Sequence, residues 1–265
     1  MCLLVVVSRL DPGAPLVVGA NRDEQLERPA TSMTVLRAER PRILGGRDEQ
    51  AGGTWLAVNE HGVVAGLTNR PSPEGRDPTR RSRGELPLAL AAHRDAPGAV
   101  AEFAARFHPS DYNAAWLLVG DRSSLYYVDM TAGDQPEVEA LPPGVHILEN
   151  NPLHGPSDKV DHVRALLGEG ATSRGGGLVD SVRTVLVDHS APRPAPGTDP
   201  RRPADTLAAC VHTDTYGTRS SSVVRVPADG GERPSVLVTD GHPCRSDFVS
   251  ADGLWSAGPG GAEHG

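Results

Sequence analysis

The chain has 265 residues, a formal net charge of −8 and 38% hydrophobic residues. That length supports one large domain or two small ones, enough to bury a real core, and the composition is not that of a disordered chain. The acidic balance gives no global pull toward nucleic acid or an anionic membrane.

The three cysteines are Cys2, Cys210 and Cys244. An odd number without paired spacing argues against a disulfide framework and against a CxxC metal site, so no metal is expected. A reducing compartment is the natural reading. The apolar run at residues 3–7 is too short for a signal-peptide core and has no basic segment before it. Nothing approaches the run of about 18 apolar residues that a membrane span needs. A soluble cytoplasmic protein with a small-molecule substrate or ligand is expected.

Taken in order, Cys2 comes first. It becomes the N-terminal residue if the initiator methionine is removed. It then carries a thiol and a free α-amine in one residue. The amine has a reference pKa of about 7.7–8.0, just below the roughly 8.5 of a free thiol. One residue can therefore supply both nucleophile and general base. Position alone also fits a cysteine that simply opens an apolar strand at residues 2–7.

A turn at Asp11-Pro12-Gly13 leads to a second strand at 16–20. Asn21 to Arg28 follow directly, so their polar groups sit at a strand end. Glycines cluster at Gly45-Gly46 and Gly52-Gly53. Strands at 54–58 and 63–67 flank a hairpin at Asn59-Glu60-His61-Gly62, and the second runs into Thr68-Asn69-Arg70. Residues 71–83 are polar, rich in proline and arginine, and read as an exposed loop able to meet an anionic group.

A short helix is expected at 82–93. Val100, Phe103, Ala104 and Phe107 fall at i, i+3, i+4 and i+7, which predicts a second. Strands follow at 114–120, 125–129, 138–141 and 145–148. Val160, Val163 and Leu167 predict a third helix, and Leu178, Val182, Val185 and Leu186 a fourth. Ala191 to Ala204 is a Pro/Arg-rich connector. Strands are expected at 206–212, 221–226 and 236–239. A Gly/Pro tail is expected to be poorly ordered from Gly253 to Gly265, leaving one domain over 1–252. Two mainly antiparallel sheets with helices outside them would bury this pattern, giving an α+β, four-layer αββα sandwich.

Acyl transfer at a thiol needs donors for the tetrahedral oxyanion. Asn amides donate without carrying charge. Asn69 at a strand end and Asn150-Asn151 before a proline offer them. Arg22 is a candidate to favour thiolate. Asp23 beside it can hold the Arg or the α-amine. Arg219, in Tyr216-Gly217-Thr218-Arg219-Ser220-Ser221, is a second cation at a strand start.

Met1-Cys2, Asn21-Arg22-Asp23-Glu24, Arg28-Pro29, Gly52-Gly53-Thr54-Trp55-Leu56, Leu67-Thr68-Asn69, Ser82-Arg83-Gly84-Glu85-Leu86 and Tyr216-Gly217-Thr218-Arg219-Ser220-Ser221 together resemble the NRDE family. That family is also called the transport and Golgi organisation 2 family. The resemblance runs in family order over nearly the whole chain. It implies an N-terminal-nucleophile (Ntn) hydrolase-like αββα fold, shared with bile salt hydrolases and penicillin V acylases. Carried over residue by residue, it implies Cys2 as nucleophile and Arg22 and Asp23 beside it. It points to Asn69 as an oxyanion-hole residue, Asn150 as the second active-site Asn, and Arg219 as a stand-in for a C-terminal Arg. The chain departs from the family at His154-Gly155-Pro156-Ser157-Asp158-Lys159, where a Trp is lost, and near Gln25, where an aromatic is replaced.

Two functional readings follow. The first is a hydrolase or acyltransferase acting on a linear amide or thioester, with no cofactor. The second is a carrier of haem, lipid or acyl-CoA on the same fold, with His61, His154, His212 or Cys2 as axial ligands to haem.

Overall fold

The computed structural model describes residues 2–192 and 204–256. Every strand pair in it is antiparallel. The first sheet holds β1 (Cys2–Asp11), β2 (Ala14–Gln25), β10 (Gly144–Leu148), β11 (Tyr216–Val226), β12 (Ser235–Val238) and β13 (Val249–Ser250), in the order β10-β1-β2-β11-β12-β13. The second holds β3 (Ala30–Arg37), β4 (Ile43–Asp48), β5 (Leu56–Asn59), β6 (Val64–Asn69), β7 (Ala115–Gly120), β8 (Leu125–Asp129) and β9 (Glu137–Ala140), in sequence order. The helices are α1 (Glu85–Ala91), α2 (Ala96–Arg106), α3 (Asp158–Leu167) and α4 (Gly176–Val187).

The apolar run of β1 explains the layering. Side chains alternate across a strand, so a strand covered on both faces must be apolar throughout. Leu4 and Val6 face the second sheet, where they meet Leu56, Val64 and Leu118. Leu3, Val5 and Val7 face the other way, against Val163 of α3 and Val182 and Leu186 of α4. The second sheet repeats the device: Ala65, Leu67 and Leu117 pack on Leu86 and Leu90 of α1 and Phe103 of α2. The result is the expected αββα sandwich. Gly19 makes it possible on one side, because a Cβ there would lie 2.4 Å from Val182 Cγ1.

Four expectations need correction. The strand expected at 206–212 is a 3-10 turn, Ala204–Leu207, followed by irregular chain with a single bridge, His212 to Gly217. Its apolar run is buried, but its backbone is satisfied elsewhere. Cys210 N–H donates to the Asp188 carbonyl at 2.8 Å, Asn21 Nδ2 to the Ala209 carbonyl at 2.8 Å, and Val211 N–H to Thr218 Oγ1 at 2.8 Å. The helix expected at 82–93 starts only at Glu85, because the Ser82-Arg83-Gly84 backbone builds a wall described below. β3, β4 and β13 were not anticipated. The tail does not begin at Gly253: Asp252–Trp255 form a 3-10 turn, and Trp255 is buried with its Nε1–H donating to the Pro234 carbonyl at 2.8 Å. Most of the Ala191–Ala204 connector lies outside the described residues, as do 257–265.

Candidate active site

Cys2 opens β1 and is paired in register with Arg22 of β2, which puts the thiol beside Arg22 and Asp23. Cys2 N–H donates to Asn150 Oδ1 at 2.9 Å. The Asn150 amide Nδ2 in turn donates to the Asn69 carbonyl. Asn150 follows β10 and Asn69 ends β6, so one side chain pins the start of β1 across both sheets. Burial pushes the Cys2 thiol above its ordinary value. The Asp23 carboxylate adds to that rise, while Arg22 and the Asp23 N–H oppose it.

The thiol opens into a cavity of ≈ 130 Å³ lined by Cys2, Arg22, Asp23, Trp55, Asn69 and Arg83, among others. Its walls explain two of the glycine motifs. Gly53 and Gly84 touch backbone to backbone, with a Cβ on Gly53 falling 2.6 Å from Gly84 Cα, and Thr54 N–H donates to the Gly84 carbonyl at 2.9 Å. Gly46 in β4 lies under the Trp55 ring, where a Cβ would sit 2.0 Å from Cζ2. Trp55 in turn carries the Arg22 guanidinium 4.6 Å over its ring.

Arg22 is buried and pairs with Asp48 through Nη2 at 3.1 Å. Its Nη1 is buried and has no hydrogen-bond partner among the described residues, leaving an unspent donor in the cavity wall. Asp48 also pairs with Arg28 at 2.8 Å and accepts from the N–H groups of Gln50 and Ala51. Burial alone would raise its carboxyl. The Arg28 hydrogen bond, the Ala51 N–H and the charges of Arg28 and Arg22 outweigh that and hold it below the usual carboxylate range. A depressed carboxyl contributes stability above its unfolded value of about 3.9 and loses it as pH falls through the lower folded value. Asp48→Asn is therefore expected to flatten the acid limb of a stability–pH curve below about pH 4, as read by urea unfolding. An unchanged limb would show that Asp48 is not the group responsible.

Asp23 lines the cavity, and its carboxylate is fully buried. Its carboxylate accepts from Thr218 Oγ1 at 2.6 Å and pairs with Lys159 Nζ at 3.5 Å. Lys159 is fully buried on α3 and also reaches the Thr206 carbonyl.

Cys2, Arg22, Asp23 and Asn69 thus share one cavity, with Asn150 directly behind Cys2. Arg219 does not join them. Its Nη1 is spent on the carbonyls of Gln25, Leu26 and Arg28, and it does not line the cavity. It shapes the loop after β2 instead. The Arg-rich loop divides: Arg81 pairs with Glu85 at 2.8 Å, Arg80 donates to the Tyr112 carbonyl, and Arg76, Arg81 and Arg83 reach the cavity. Burial and the neighbouring Arg76 pull Arg83 down to about 10. His61, His154 and His212 are not among the residues lining this cavity. Lys159 and Asp48 were missed from sequence. Lys159 carried a signal, being the sole lysine in a chain of arginines at an apolar-helix position.

The fold is that of the Ntn-hydrolase-like acylases and amidases. It is similar to a Caenorhabditis elegans N-acylethanolamine-hydrolyzing acid amidase ortholog (TM-score 0.54, 13% identity, 87% of this chain and 93% of that one). It is also similar to penicillin V acylase from Agrobacterium tumefaciens (TM-score 0.52, 13% identity, 91% and 83%). The sequence profile of Transport and Golgi organisation 2 matches residues 1–233. The Bos taurus Transport and Golgi organization protein 2 homolog is 32% identical over 236 residues, covering 81% of this chain and 83% of that protein. The chain belongs to the Transport and Golgi organisation 2 family. Among the described residues, no helix is long and apolar enough to cross a membrane.

Proposed function

We propose that this chain is an N-terminal-cysteine hydrolase or acyltransferase acting on a linear amide or thioester of a small molecule. The observation that carries this reading is the placement of Cys2. Its sulfur faces a cavity, and its backbone nitrogen is held by Asn150 rather than by the sheet alone. A thiol raised by burial needs a base. Removal of Met1 would turn the Cys2 nitrogen into an α-amine at the right distance. The thiol attacks the substrate carbonyl, the S–C bond forms, and the amine takes the proton. Asn69 and the second N–H of Asn150 hold the oxyanion. Collapse breaks the bond to the leaving amine or thiol, which takes the proton back. Water, or an acceptor amine, then releases the acyl group from the thioester. Arg22 Nη1, Arg76 and Arg83 favour a substrate with an anionic group.

The test is the intact mass of the purified protein before and after a cysteine-directed acylating probe, with the modified residue mapped. Loss of Met1 with selective labelling of Cys2 over Cys210 and Cys244 supports the reading. A retained Met1 removes the base and counts against it. Asn150→Ala is expected to cost about 10²–10³ in turnover with the fold intact. Normal kinetics in that variant would take Asn150 out of the mechanism.

A further inference from the structure

Apart from the residues that line the cavity there is a second cluster of chemistry-bearing side chains. His189 follows α4, Cys210 and His212 stand two apart in the irregular segment before β11, and Cys244 lies in the loop after β12. Cys210 and His212 are separated by a single residue, so both can reach one point. The ligand atoms of all four lie within 4.8 Å of one another, and Cys244 Sγ is 3.1 Å from His212 Nε2. His242 stacks on His212 with ring centroids 4.0 Å apart. Its Nδ1 is buried and has no hydrogen-bond partner among the described residues.

We infer that His189, Cys210, His212 and Cys244 form a structural zinc site. Two thiolates and two imidazoles are the donor set of tetrahedral structural zinc, and four protein ligands leave no open position for chemistry. Zinc–ligand bonds of about 2.0–2.3 Å put tetrahedral donor atoms about 3.3–3.8 Å apart. The observed spacing reaches that with side-chain adjustments of about 1 Å. Binding converts both thiols to thiolates, with their protons going to solvent. The two negative charges then cancel those of the ion, which suits a site where Cys210 is buried. The exposed His189 gives the ion a way in. No ligand pair has CxxC spacing; three separate segments converge instead, which is why the sequence argued against a metal.

The site would staple the end of α4 and the Cys244 loop to the 210–212 segment. That segment leads straight to the candidate active site. Val211 N–H donates to Thr218 Oγ1, and that hydroxyl donates to Asp23. The inference does not rest on the proposed reaction.

Elemental analysis of the full-length, tag-free protein after zinc equilibration and gel filtration tests it. Near-stoichiometric zinc is expected, retained in Cys2→Ser and lost in Cys210→Ser and Cys244→Ser. Cobalt(II) is expected to give the visible bands of a tetrahedral thiolate complex in the wild type and Cys2→Ser alone. His189→Ala alters a surface residue and leaves the core untouched. It is expected to weaken zinc at least about 10-fold in competition with a chromogenic chelator, since even outer-shell partners are worth 10–100-fold. Zinc retained in both serine variants, no zinc bound by the reduced wild type, or a Cys210–Cys244 disulfide in the unreduced protein would each overturn the site.

Discussion

Replacing Cys2 by alanine is expected to remove turnover on any cleaved amide or thioester by a factor on the order of 10⁴ or more. That is the scale seen when a covalent nucleophile is deleted. The same variant should keep its thermal midpoint, because Cys2 is only half-buried at the edge of the cavity and Leu3 to Val7 hold the strand. The informative pair is Cys2→Ala with Cys2→Ser. Serine keeps the α-amine and a hydroxyl nucleophile, so it should retain more activity than alanine while losing reactivity toward a thiol-directed probe. Turnover within a few-fold of wild type in the alanine variant would end the covalent reading. The carrier reading would then take its place.

The second large effect is on stability. Lys159→Met is expected to cost about 3–5 kcal/mol, measured by urea unfolding. It removes one partner of a fully buried ion pair and leaves the Asp23 charge inside the protein. The two charges also sit at 3.5 Å, with Thr218 and the Thr206 carbonyl as further partners, so the pair is part of a network. Neutralising both ends should recover much of the loss. The Lys159→Met/Asp23→Asn double variant is therefore expected to be more stable than Lys159→Met alone, and the cycle gives their coupling. If the single variant cost under about 1 kcal/mol, the ion pair would not be what holds α3 against β2.

Much of this fold was legible because its strands obey simple patterning. The apolar run of β1, the Asn59–Gly62 hairpin and the i, i+3, i+4 spacing of Val100, Phe103 and Ala104 each point to one answer. β3 and β4 were hidden because their packing depends on partners. Thr31, Ser32 and Thr34 do not announce a strand, and Gly45 and Gly46 look like a turn until Leu56 is seen against the first and the Trp55 ring over the second. The 206–212 segment misled in the opposite sense: an apolar run signals burial, and here burial came without a ladder. At the candidate site, Cys2, Arg22, Asp23 and Asn69 were found from the sequence and do converge on one cavity. Arg219 lies apart from that cavity, because a cation at a strand start can serve a loop's carbonyls as well as a substrate. Asp48 and Lys159 could not be assigned from spacing, since their charged partners, Arg22 and Arg28 for the one and Asp23 for the other, lie outside their own elements.

Residues near a chain end usually fray, and a side chain placed there ought to wander. Here the first strand lies between β10 and β2, with Leu4 paired to both Leu148 and Ala20, and it is covered on both faces. The amide protons of Leu4 to Val7 should consequently be among the slowest in the molecule to exchange with solvent, opening only when the whole domain unfolds. The start of β1 would thus inherit the rigidity of the core, and local melting could not displace Cys2 without dismantling the domain.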